Sequence, residues 1–336
     1  MPTHRAIRVP SPGASLELAS VGTGSPPPGH VRIDVAACGV CGTDALFING
    51  AFPGLSWPVT PGHEIAGTLA EAGAGVPDFA AGDRVAVGWF GGHCARCVPC
   101  RSGDFLHCEN GQYPGRDYPG GYAESVTVPA NALARIPGEL SFAEAAPMGC
   151  AGVTTYNALR HAGASPGDRV AVLGIGGLGH LGVQFARAMG FETVAIARGA
   201  GKEQAARELG AHHYIDSTAG DVAKALQALG GVSLVLATAS SAAIGQTAGG
   251  LRPRGELAVL SLTPDPLPIS PVQLVDGGLR VTGSQSGTAR ETEETMRFAV
   301  QSGVRARIEE RPLAEAADAY AAMREGRARY RIVLTV

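Results

Sequence analysis

The chain has 336 residues, 45% hydrophobic and 17% charged, a composition that excludes wholesale disorder and a length that predicts two domains. The formal net charge of −3 at pH 7 excludes a basic surface for nucleic acid. No apolar stretch approaches the ~18 residues that span a bilayer, so we expect no membrane partner either.

The first third of the sequence predicts short strands separated by proline- and glycine-rich turns. In residues 30–38, apolar residues at every second position alternate with Arg32 and Asp34, a pattern typical of a half-buried strand. Residues 84–87 and 122–128 show similar strand patterns. We therefore expect a β-rich domain in this part of the chain.

A cysteine-rich loop, residues 91–119, lies between these strands. Its cysteines follow the pattern C-x2-C-x2-C-x7-C, at Cys94, Cys97, Cys100 and Cys108. Four thiolates within fifteen residues can surround one Zn²⁺ ion tetrahedrally and leave no coordination position open, so we predict a structural zinc site. Buried or disulfide-bonded cysteines are the alternative, whereas a DNA-reading zinc finger would need a basic recognition helix. Cysteines that serve as metal ligands predict a cytoplasmic location, where thiols stay reduced.

From about residue 150 the sequence predicts alternating strands and helices. An apolar run at 169–173 leads into a glycine-rich turn at 174–179, after which apolar residues recur at helical spacing. Further strands are predicted at 193–197, 213–215, 232–237, 256–260 and 279–282, with helices at 202–209 and 221–229 and a last strand at 330–336. This alternation predicts a doubly wound parallel sheet of two right-handed βαβαβ halves, the arrangement of a Rossmann domain.

The glycine-rich turn is the predicted dinucleotide site. Gly174 permits the tight turn, Gly176 lets the backbone approach a pyrophosphate, and Gly179 lets the helix pack against the strand. Gly177 and Leu178 complete the turn, and the helix that follows offers its N-terminal N–H groups to phosphates. The motif lies between an apolar strand and a helix whose apolar residues recur at helical spacing. This context indicates a dinucleotide site more specifically than the glycines alone.

The end of the second strand of this domain predicts the choice of cofactor. An NAD enzyme places an acidic residue there, about 20 residues after the first glycine, to bind the ribose 2′-hydroxyl. Here the strand ends in Ala197 followed by Arg198, with no acidic residue, so a 2′-phosphate would meet no carboxylate and could pair with a guanidinium. We predict a preference for NADP(H), with NAD(H) possible, and a supporting contact from Lys202. A merely solvated Arg198 is the alternative.

Cys41, His63 and Cys150, far apart in the sequence, form a second candidate metal site. Two thiolates and one imidazole leave the fourth zinc position open, as catalytic zinc sites require. From spacing alone, a buried cysteine and an unrelated histidine are an equally good interpretation.

The segments around these residues resemble the zinc-dependent medium-chain alcohol dehydrogenases. The resemblance includes Cys-Gly-Val-Cys-Gly-Thr-Asp at 38–44, Gly-His-Glu at 62–64 and Cys-Ala-Gly-Val-Thr-Thr-Tyr at 150–156. It also includes the four-cysteine loop, the glycine-rich turn and the arginine in the last strand. It therefore extends through nearly the whole chain.

The resemblance implies a ligand set for each of two zinc ions per subunit. Cys41, His63 and Cys150 match the ligands of a catalytic zinc, and the four loop cysteines match those of a structural zinc. Asp44 matches the acceptor for the second ring N–H of His63, and Glu64 is a further carboxylate beside the ligands.

The resemblance also bears on Thr43, Arg331 and Leu46. Thr43 matches the hydroxyl that takes the substrate proton, with a turn-capping hydroxyl as the alternative, and Arg331 matches a position that contacts the pyrophosphate. Leu46 stands where many relatives have a histidine that passes the proton to solvent, so water and the cofactor ribose, or another histidine, would have to complete that path. Cys38 is interpreted as a small apolar residue, although Cys38 and Cys41 could also form a redox pair.

Three aromatic residues are candidates for the substrate pocket. Trp89, Phe52 and Trp57 lie close in sequence to the metal-ligand segments, and their regions resemble pocket-lining positions. Large aromatic side chains would favour a flat or aliphatic substrate, although each could instead belong to the core.

Together these interpretations predict an α/β protein with a GroES-like β-barrel catalytic domain, residues 1–152 and 287–336, and a Rossmann domain, residues 153–286. The expected function is a zinc-dependent alcohol dehydrogenase or aldehyde reductase that acts on small-molecule alcohols and aldehydes with NADP(H). A polyol or sugar dehydrogenase of the same superfamily and a non-catalytic dinucleotide sensor are the alternatives. The resemblance also implies a homodimer or homotetramer.

Overall fold

The computed structural model describes residues 2–239, 241–263 and 265–336, which form fifteen strands and eleven α-helices. The strands are β1 (Thr3–Arg8), β2 (Glu17–Gly22), β3 (His30–Val40), β4 (Ile65–Ala72), β5 (Arg84–Val87), β6 (Ser125–Pro129), β7 (Ala134–Arg135), β8 (Arg169–Leu173), β9 (Glu192–Ala197), β10 (His213–Asp216), β11 (Val232–Ala237), β12 (Leu251–Val259), β13 (Arg280–Gly283), β14 (Ile308–Pro312) and β15 (Arg331–Thr335). The helices are α1 (Asp44–Ile48), α2 (Val98–Arg101), α3 (Phe142–Ala145), α4 (Ala151–His161), α5 (Gly179–Ala188), α6 (Glu203–Glu208), α7 (Val222–Ala228), α8 (Ser241–Gly245), α9 (Pro271–Gly277), α10 (Ala289–Ser302) and α11 (Ala316–Arg324).

The chain divides into two compact units. The first extends to Val153 and also includes Ser286–Gln301 and Arg305–Val336, whereas the second comprises Thr154–Gln285 and Ser302–Val304. Each unit contains one large sheet, and the first also contains the two-stranded hairpin of β1 and β2.

The large sheet of the first unit is mainly antiparallel and is built around β3. Its strand order is β14-β15-β3-β4-β5-β7, and β6 also pairs with β3. The predicted alternation in β3 is confirmed, because Val31, Ile33 and Val35 are buried in the core whereas Arg32 and Asp34 are more exposed. Burial of these side chains fixes the register of β3 and thereby the position of the segment that follows it.

The sheet of the second unit is parallel throughout, with the order β10-β9-β8-β11-β12-β13. The order reverses between β8 and β11, which makes this the crevice where doubly wound sheets bind ligands. The predicted helices at 202–209 and 221–229 form as α6 and α7, and Asp221 caps α7 by accepting the N–H of Lys224. The predicted doubly wound sheet is confirmed.

Two strands of this sheet differ from the sequence-based expectation. β12 begins at Leu251 rather than residue 256, and its register against β11 shifts near its start. Its exposed stretch Arg252–Arg254 carries no apolar alternation that could have revealed a strand. β13 forms close to the predicted 279–282 as an edge strand, and each of its residues is exposed.

Among the described residues no helix has the length and apolarity needed to cross a membrane.

Candidate active site

Cys41 and Asp44 lie at the junction between β3 and α1. The last residues of β3 are buried, and Cys41 follows them directly. Its N–H donates to Oδ2 of Asp44 over 3.0 Å. Asp44 is the first residue of α1, where a carboxylate interacts favourably with the helix dipole. The turn thus holds both side chains in the interior.

The structure brings Cys41, His63 and Cys150 together. The two sulfurs lie 3.9 Å apart, and Nε2 of His63 lies 3.3 Å from Sγ of Cys150. Zinc bonds of about 2.3 Å to sulfur and about 2.0 Å to nitrogen place two tetrahedral sulfurs about 3.8 Å apart and a sulfur and a nitrogen about 3.5 Å apart. The spacing and the soft donor set therefore fit one zinc ion.

Asp44 ties two of these residues together. Its Oδ1 lies 2.7 Å from Nδ1 of His63, and its Oδ2 accepts both the Cys41 N–H and the hydroxyl of Tyr122, the latter over 2.9 Å. All of these side chains are buried. The Asp44 contact leaves Nε2 of His63 as the ring nitrogen available to a metal. The sequence did not reveal Tyr122, because it lies 78 residues from Asp44 and no local pattern connects the two residues.

Glu64 and Arg331 form a fully buried ion pair beside the same cluster. One carboxylate oxygen of Glu64 lies within 4.8 Å of the Cys41, His63 and Cys150 ligand atoms. Its Oε2 has no hydrogen-bond partner among the described residues. Burial raises the pKa of Glu64 to about 8 even though the adjacent Arg331 opposes that rise.

Arg331 reaches this site because β15 pairs with β3, with Ile332 opposite Val40. Its guanidinium also donates to the Val40 carbonyl over 3.3 Å and lies 3.8 Å from Sγ of Cys41. The described partners of Arg331 thus belong to the cysteine–histidine cluster, and its contact with a pyrophosphate stays a prediction.

The cluster favours a thiolate at Cys41. A hydrogen bond from Cys150, together with the charges of Arg331 and His63, lowers the pKa of Cys41 well below its usual value. Burial opposes protonation of His63, but the charges of Asp44 and Cys41 outweigh it and raise the pKa of the imidazole. A deprotonated sulfur is the form that binds a metal.

The four loop cysteines also converge. Sγ of Cys108 lies 3.6 Å from that of Cys94 and 3.8 Å from that of Cys97, and the four sulfurs lie within 4.8 Å of one another. These distances are far too long for disulfides, whose S–S bond is about 2.05 Å. Backbone N–H groups of Arg96 and Cys97 lower the pKa of Cys94 to about 6. The group has the composition and spacing of a closed zinc site.

Cys38 lies outside both clusters. It is fully buried in the core of the first unit, and burial raises the pKa of its thiol well above the usual value. All seven cysteines are free. These observations favour the apolar interpretation of Cys38 over a redox pair.

The predicted pocket aromatics separate into two places. The Trp89 ring lies edge-on to His63 at 5.4 Å and contacts Phe52 at 6.2 Å and Tyr113 at 4.7 Å, measured between ring centroids. Trp57 packs instead against the hydrophobic cluster of Val9, Ile48 and Val59. Trp57 therefore has no described contact that joins it to the Trp89 group, and its pocket role stays a prediction.

Tyr113 was not found from the sequence. Its ring contacts both Trp89 and Phe52, and the Arg116 guanidinium lies 4.4 Å from its centroid. A lone tyrosine in a cysteine-rich loop gives no signal of such a contact.

Thr43 precedes α1 as its N-cap residue but makes no side-chain capping bond. The alternative role of Thr43 as a turn-capping hydroxyl is therefore not realised, and the residue as a whole is half-buried. Leu46, one turn further along α1, is also half-buried and offers no group that could carry a proton.

The glycine-rich turn lies at the carboxyl end of β8. Gly174 has φ +90°, a conformation that favours glycine, and a Cβ on Gly179 would lie only 1.7 Å from the Gly174 carbonyl oxygen. A Cβ on Gly176 would meet no atom within 4 Å, so the backbone there is open to a ligand. Leu178 is the N-cap residue of α5 and makes no side-chain capping bond. Gly177 completes the turn.

Arg198 and Lys202 are exposed just beyond β9, and Ala197 is buried. Gly199, which follows Arg198, is held through both of its backbone polar groups. Its N–H donates to the Asp216 carboxylate over 2.8 Å, and its carbonyl accepts a hydrogen bond from the Tyr214 hydroxyl over 2.6 Å. Asp216 lies beside this segment because β10 pairs with β9, which places Asp216 opposite Ala197. The sequence did not predict this register.

Comparison with known proteins gives matches over nearly the whole chain. Residues 27–138 match the family described as "Alcohol dehydrogenase GroES-like domain", and residues 177–301 match "Zinc-binding dehydrogenase". The chain is 42% identical over 313 residues to alcohol dehydrogenase notN of Aspergillus sp. (strain MF297-2), covering 93% of this chain and 91% of that protein. It is 40% identical over 335 residues to alcohol dehydrogenase patD of Penicillium expansum, covering 99% and 98%.

A solved structure shows the same fold. The cobalt- and zinc-bound thermostable alcohol dehydrogenase from Pyrobaculum aerophilum has a TM-score of 0.89 and 28% identity, covering 100% of both chains. With the domain matches and the parallel sheet, this confirms the predicted α/β fold class with a GroES-like and a Rossmann-type part.

Proposed function

This chain belongs to the zinc-binding alcohol dehydrogenases of the medium-chain dehydrogenase/reductase family, and we propose that it transfers a hydride reversibly between a primary or secondary alcohol and NADP(H), working mainly as an aldehyde reductase. The observation that supports this most directly is the convergence of Cys41, His63 and Cys150, with 3.9 Å between the sulfurs and 3.3 Å from nitrogen to sulfur. A sensor would not need three protein ligands with a fourth position left for substrate.

In this proposal Cys41, His63 and Cys150 hold a catalytic zinc ion, and the four loop cysteines hold a structural one. When bound, zinc supplies Lewis acidity at the substrate oxygen, and the nicotinamide cofactor gives or accepts the hydride. Asp44 fixes the imidazole of His63 through Nδ1, and Glu64 contacts the guanidinium of Arg331 beside the ligands.

Thr43 exchanges the proton of the substrate oxygen. Thr43 is two residues from Cys41 and half-buried, and its hydroxyl is not used as a helix cap. A hydroxyl can accept and donate a proton in one step, which suits a reversible reaction. Leu46 offers no group that could carry a proton beyond Thr43, so water and the cofactor ribose, or another histidine, would have to complete the path.

Trp89 and Phe52, with Tyr113, form the hydrophobic wall for the substrate. Trp89 is the member in ring contact with His63, at 5.4 Å, so it lies beside a proposed zinc ligand. Aromatic walls favour flat or aliphatic aldehydes over polyols, which need several hydrogen-bond partners.

The glycine-rich turn and α5 bind the cofactor pyrophosphate, and Arg198 and Lys202 select the 2′-phosphate. The support is the absence of an acid at Ala197, the exposure of both cations, and the open backbone at Gly176. We place the enzyme in the cytoplasm, where the seven free thiols stay reduced, as a homodimer or homotetramer.

The function is tested by NADPH oxidation with aliphatic, aromatic and polyol-derived aldehydes, with the zinc content of the same sample measured. We expect two zinc ions per subunit, one for each ligand cluster, and turnover of aliphatic and aromatic aldehydes that falls when zinc is removed and returns when it is restored. Full turnover by a metal-free sample would contradict the zinc mechanism. A preference for polyol-derived substrates would instead favour the polyol dehydrogenase alternative.

The cofactor assignment is tested by Arg198→Ala. Loss of one charge-assisted contact to phosphate, worth about 1.5–3 kcal/mol, should lower kcat/KM for NADPH by about 10- to 100-fold and leave NADH little changed. Arg290→Ala, an arginine on α10 with 85% of its side chain exposed, is the matched control and should change neither value. A wild-type kcat/KM that is higher with NADH than with NADPH would reject the assignment.

A further inference from the structure

We propose that Tyr122 is a positioning residue for the catalytic zinc site, acting through Asp44 on the orientation of His63. The inference rests on the proposed function, because it assumes that Cys41, His63 and Cys150 hold the ion. It assigns a role to a side chain that neither binds the metal nor faces the substrate.

The contact is a hydrogen bond in a site that solvent does not reach. The Tyr122 hydroxyl donates to Oδ2 of Asp44 over 2.9 Å, and both side chains are fully buried. Burial and the neighbouring Asp44 charge raise the pKa of Tyr122 well above its usual value, so the phenol stays protonated and remains a donor.

Asp44 has a different partner on each oxygen. Oδ1 faces Nδ1 of His63 at 2.7 Å, whereas Oδ2 accepts from Tyr122 and from the Cys41 N–H. Two donors on Oδ2 fix the rotation of the carboxylate plane, and that plane determines where Oδ1 meets the imidazole. Without the Tyr122 hydroxyl, the Cys41 N–H is the one described donor that remains on Oδ2 of Asp44.

Tyr122 also holds the segment that carries His63. Its N–H donates to the Pro61 carbonyl over 3.0 Å. Its ring lies so close to Gly62 that a Cβ there would be 2.4 Å from Cδ1, and Gly62 has φ +103°. Tyr122 therefore constrains His63 in two ways. It contacts the backbone of Pro61 and Gly62, which precede His63, and it holds the Asp44 carboxylate that contacts the His63 ring.

The test uses Tyr122→Phe, which keeps the ring contact with Gly62 and the backbone bond and removes only the hydroxyl. We expect the catalytic site to bind zinc about 10-fold more weakly and to release it faster in excess chelator, the lower end of the 10- to 100-fold losses of affinity seen for groups that support a metal-bound histidine. The cobalt-substituted variant should show shifted d–d absorption, because those bands report the ligand geometry. kcat should fall while KM for the aldehyde changes little.

Tyr118→Phe is the matched control, because Tyr118 donates its hydroxyl to the Gly91 carbonyl over 2.8 Å and not to Asp44. It should leave the release of catalytic-site zinc and the cobalt spectrum unchanged. Each variant is compared at the same interval below its own thermal midpoint, so that general loss of stability is removed from the comparison.

A double-variant cycle separates positioning from packing. If Tyr122 acts through the carboxylate, adding Tyr122→Phe to Asp44→Asn should raise zinc release no further. Additive effects, a wild-type spectrum and release rate for Tyr122→Phe, or an equal effect of Tyr118→Phe would each overturn the proposal. If the wild-type protein binds no metal at Cys41, His63 and Cys150, the proposed function itself fails, and metal analysis shows this before any variant is compared.

Discussion

At the residue scale, the candidate site consists of buried polar groups that hold one another in place. Asp44, His63, Glu64 and Arg331 have little or no solvent exposure, and each has at least one described partner. Burying a charge is costly unless it is paired, so removing one member leaves its partner unpaired in the interior. Thr43 differs, since it is half-buried and its hydroxyl makes no capping bond. Its substitution should therefore affect chemistry more than stability.

Thr43→Ala is the prediction at this scale. Removing the hydroxyl that exchanges the substrate proton should lower kcat by about 10²- to 10⁴-fold, the usual contribution of general acid–base catalysis. Zinc content and thermal midpoint should stay near wild-type values, because the cap bond that could have stabilised α1 is absent.

Thr43→Ser is the matched control, because it keeps a hydroxyl at the same Cβ, and it should retain most of the activity. Equal activity of the alanine and wild-type proteins across the pH range would show that another group carries the proton.

At the element scale, we expect the four-cysteine loop to depend on a bound metal more than on its secondary structure. Its helix, α2, has only four residues, too few to be stable alone. Two of the loop cysteines are only partly buried, so apolar packing holds them weakly. The sulfurs are instead arranged around one point, supported by N–H donors to Cys108 and Cys94. Zinc should therefore order the loop.

Cys94→Ser tests this dependence. It should lower the zinc content from two ions to one per subunit and make the loop more sensitive to proteolysis, because three remaining thiolates bind zinc more weakly. Elemental analysis and limited proteolysis measure the two effects.

Cys38→Ala is the control for Cys94→Ser, because Cys38 lies outside both clusters. This substitution should leave the zinc content at two ions per subunit. Two zinc ions in the Cys94→Ser protein would contradict the assigned ligand set.

At the scale of the whole molecule, exposed apolar residues concentrate in one segment of the chain. Seven large hydrophobic residues are exposed among the described residues, and four of them lie between positions 262 and 281: Leu262, Val272, Val275 and Val281. This segment includes α9, which buries none of its residues, and the edge strand β13. An unpaired edge strand beside apolar side chains is suited to pairing with a second copy through a two-fold axis.

Val281→Lys tests the proposed self-association. A charge placed in the middle of β13 should disfavour pairing, so the molar mass from light scattering should fall towards that of the 34.2 kDa monomer. Leu18→Lys is the matched control, since Leu18 is 43% exposed and Val281 is 42% exposed, and Leu18 lies on β2. An unchanged mass in the Val281→Lys protein, or a monomeric wild type, would place the contact elsewhere or exclude it.

The local patterns of the sequence determined the parallel sheet, the glycine-rich turn and the four-cysteine cluster. Helical and strand periodicities and C-x2-C spacings act over a few residues, so they are readable without a structure. β12 was placed too late because Arg252–Arg254 breaks that periodicity.

Only the tertiary structure brought together the partners of the second metal cluster. Tyr122 meets Asp44 across 78 residues and Arg331 meets Glu64 across 267, and neither contact follows from any local pattern. These contacts depend on the registers of β3, β4 and β15, which are set by which side chains each sheet buries. Family resemblance supplied Cys41, His63 and Cys150, but burial and strand pairing place their atoms within reach of one ion.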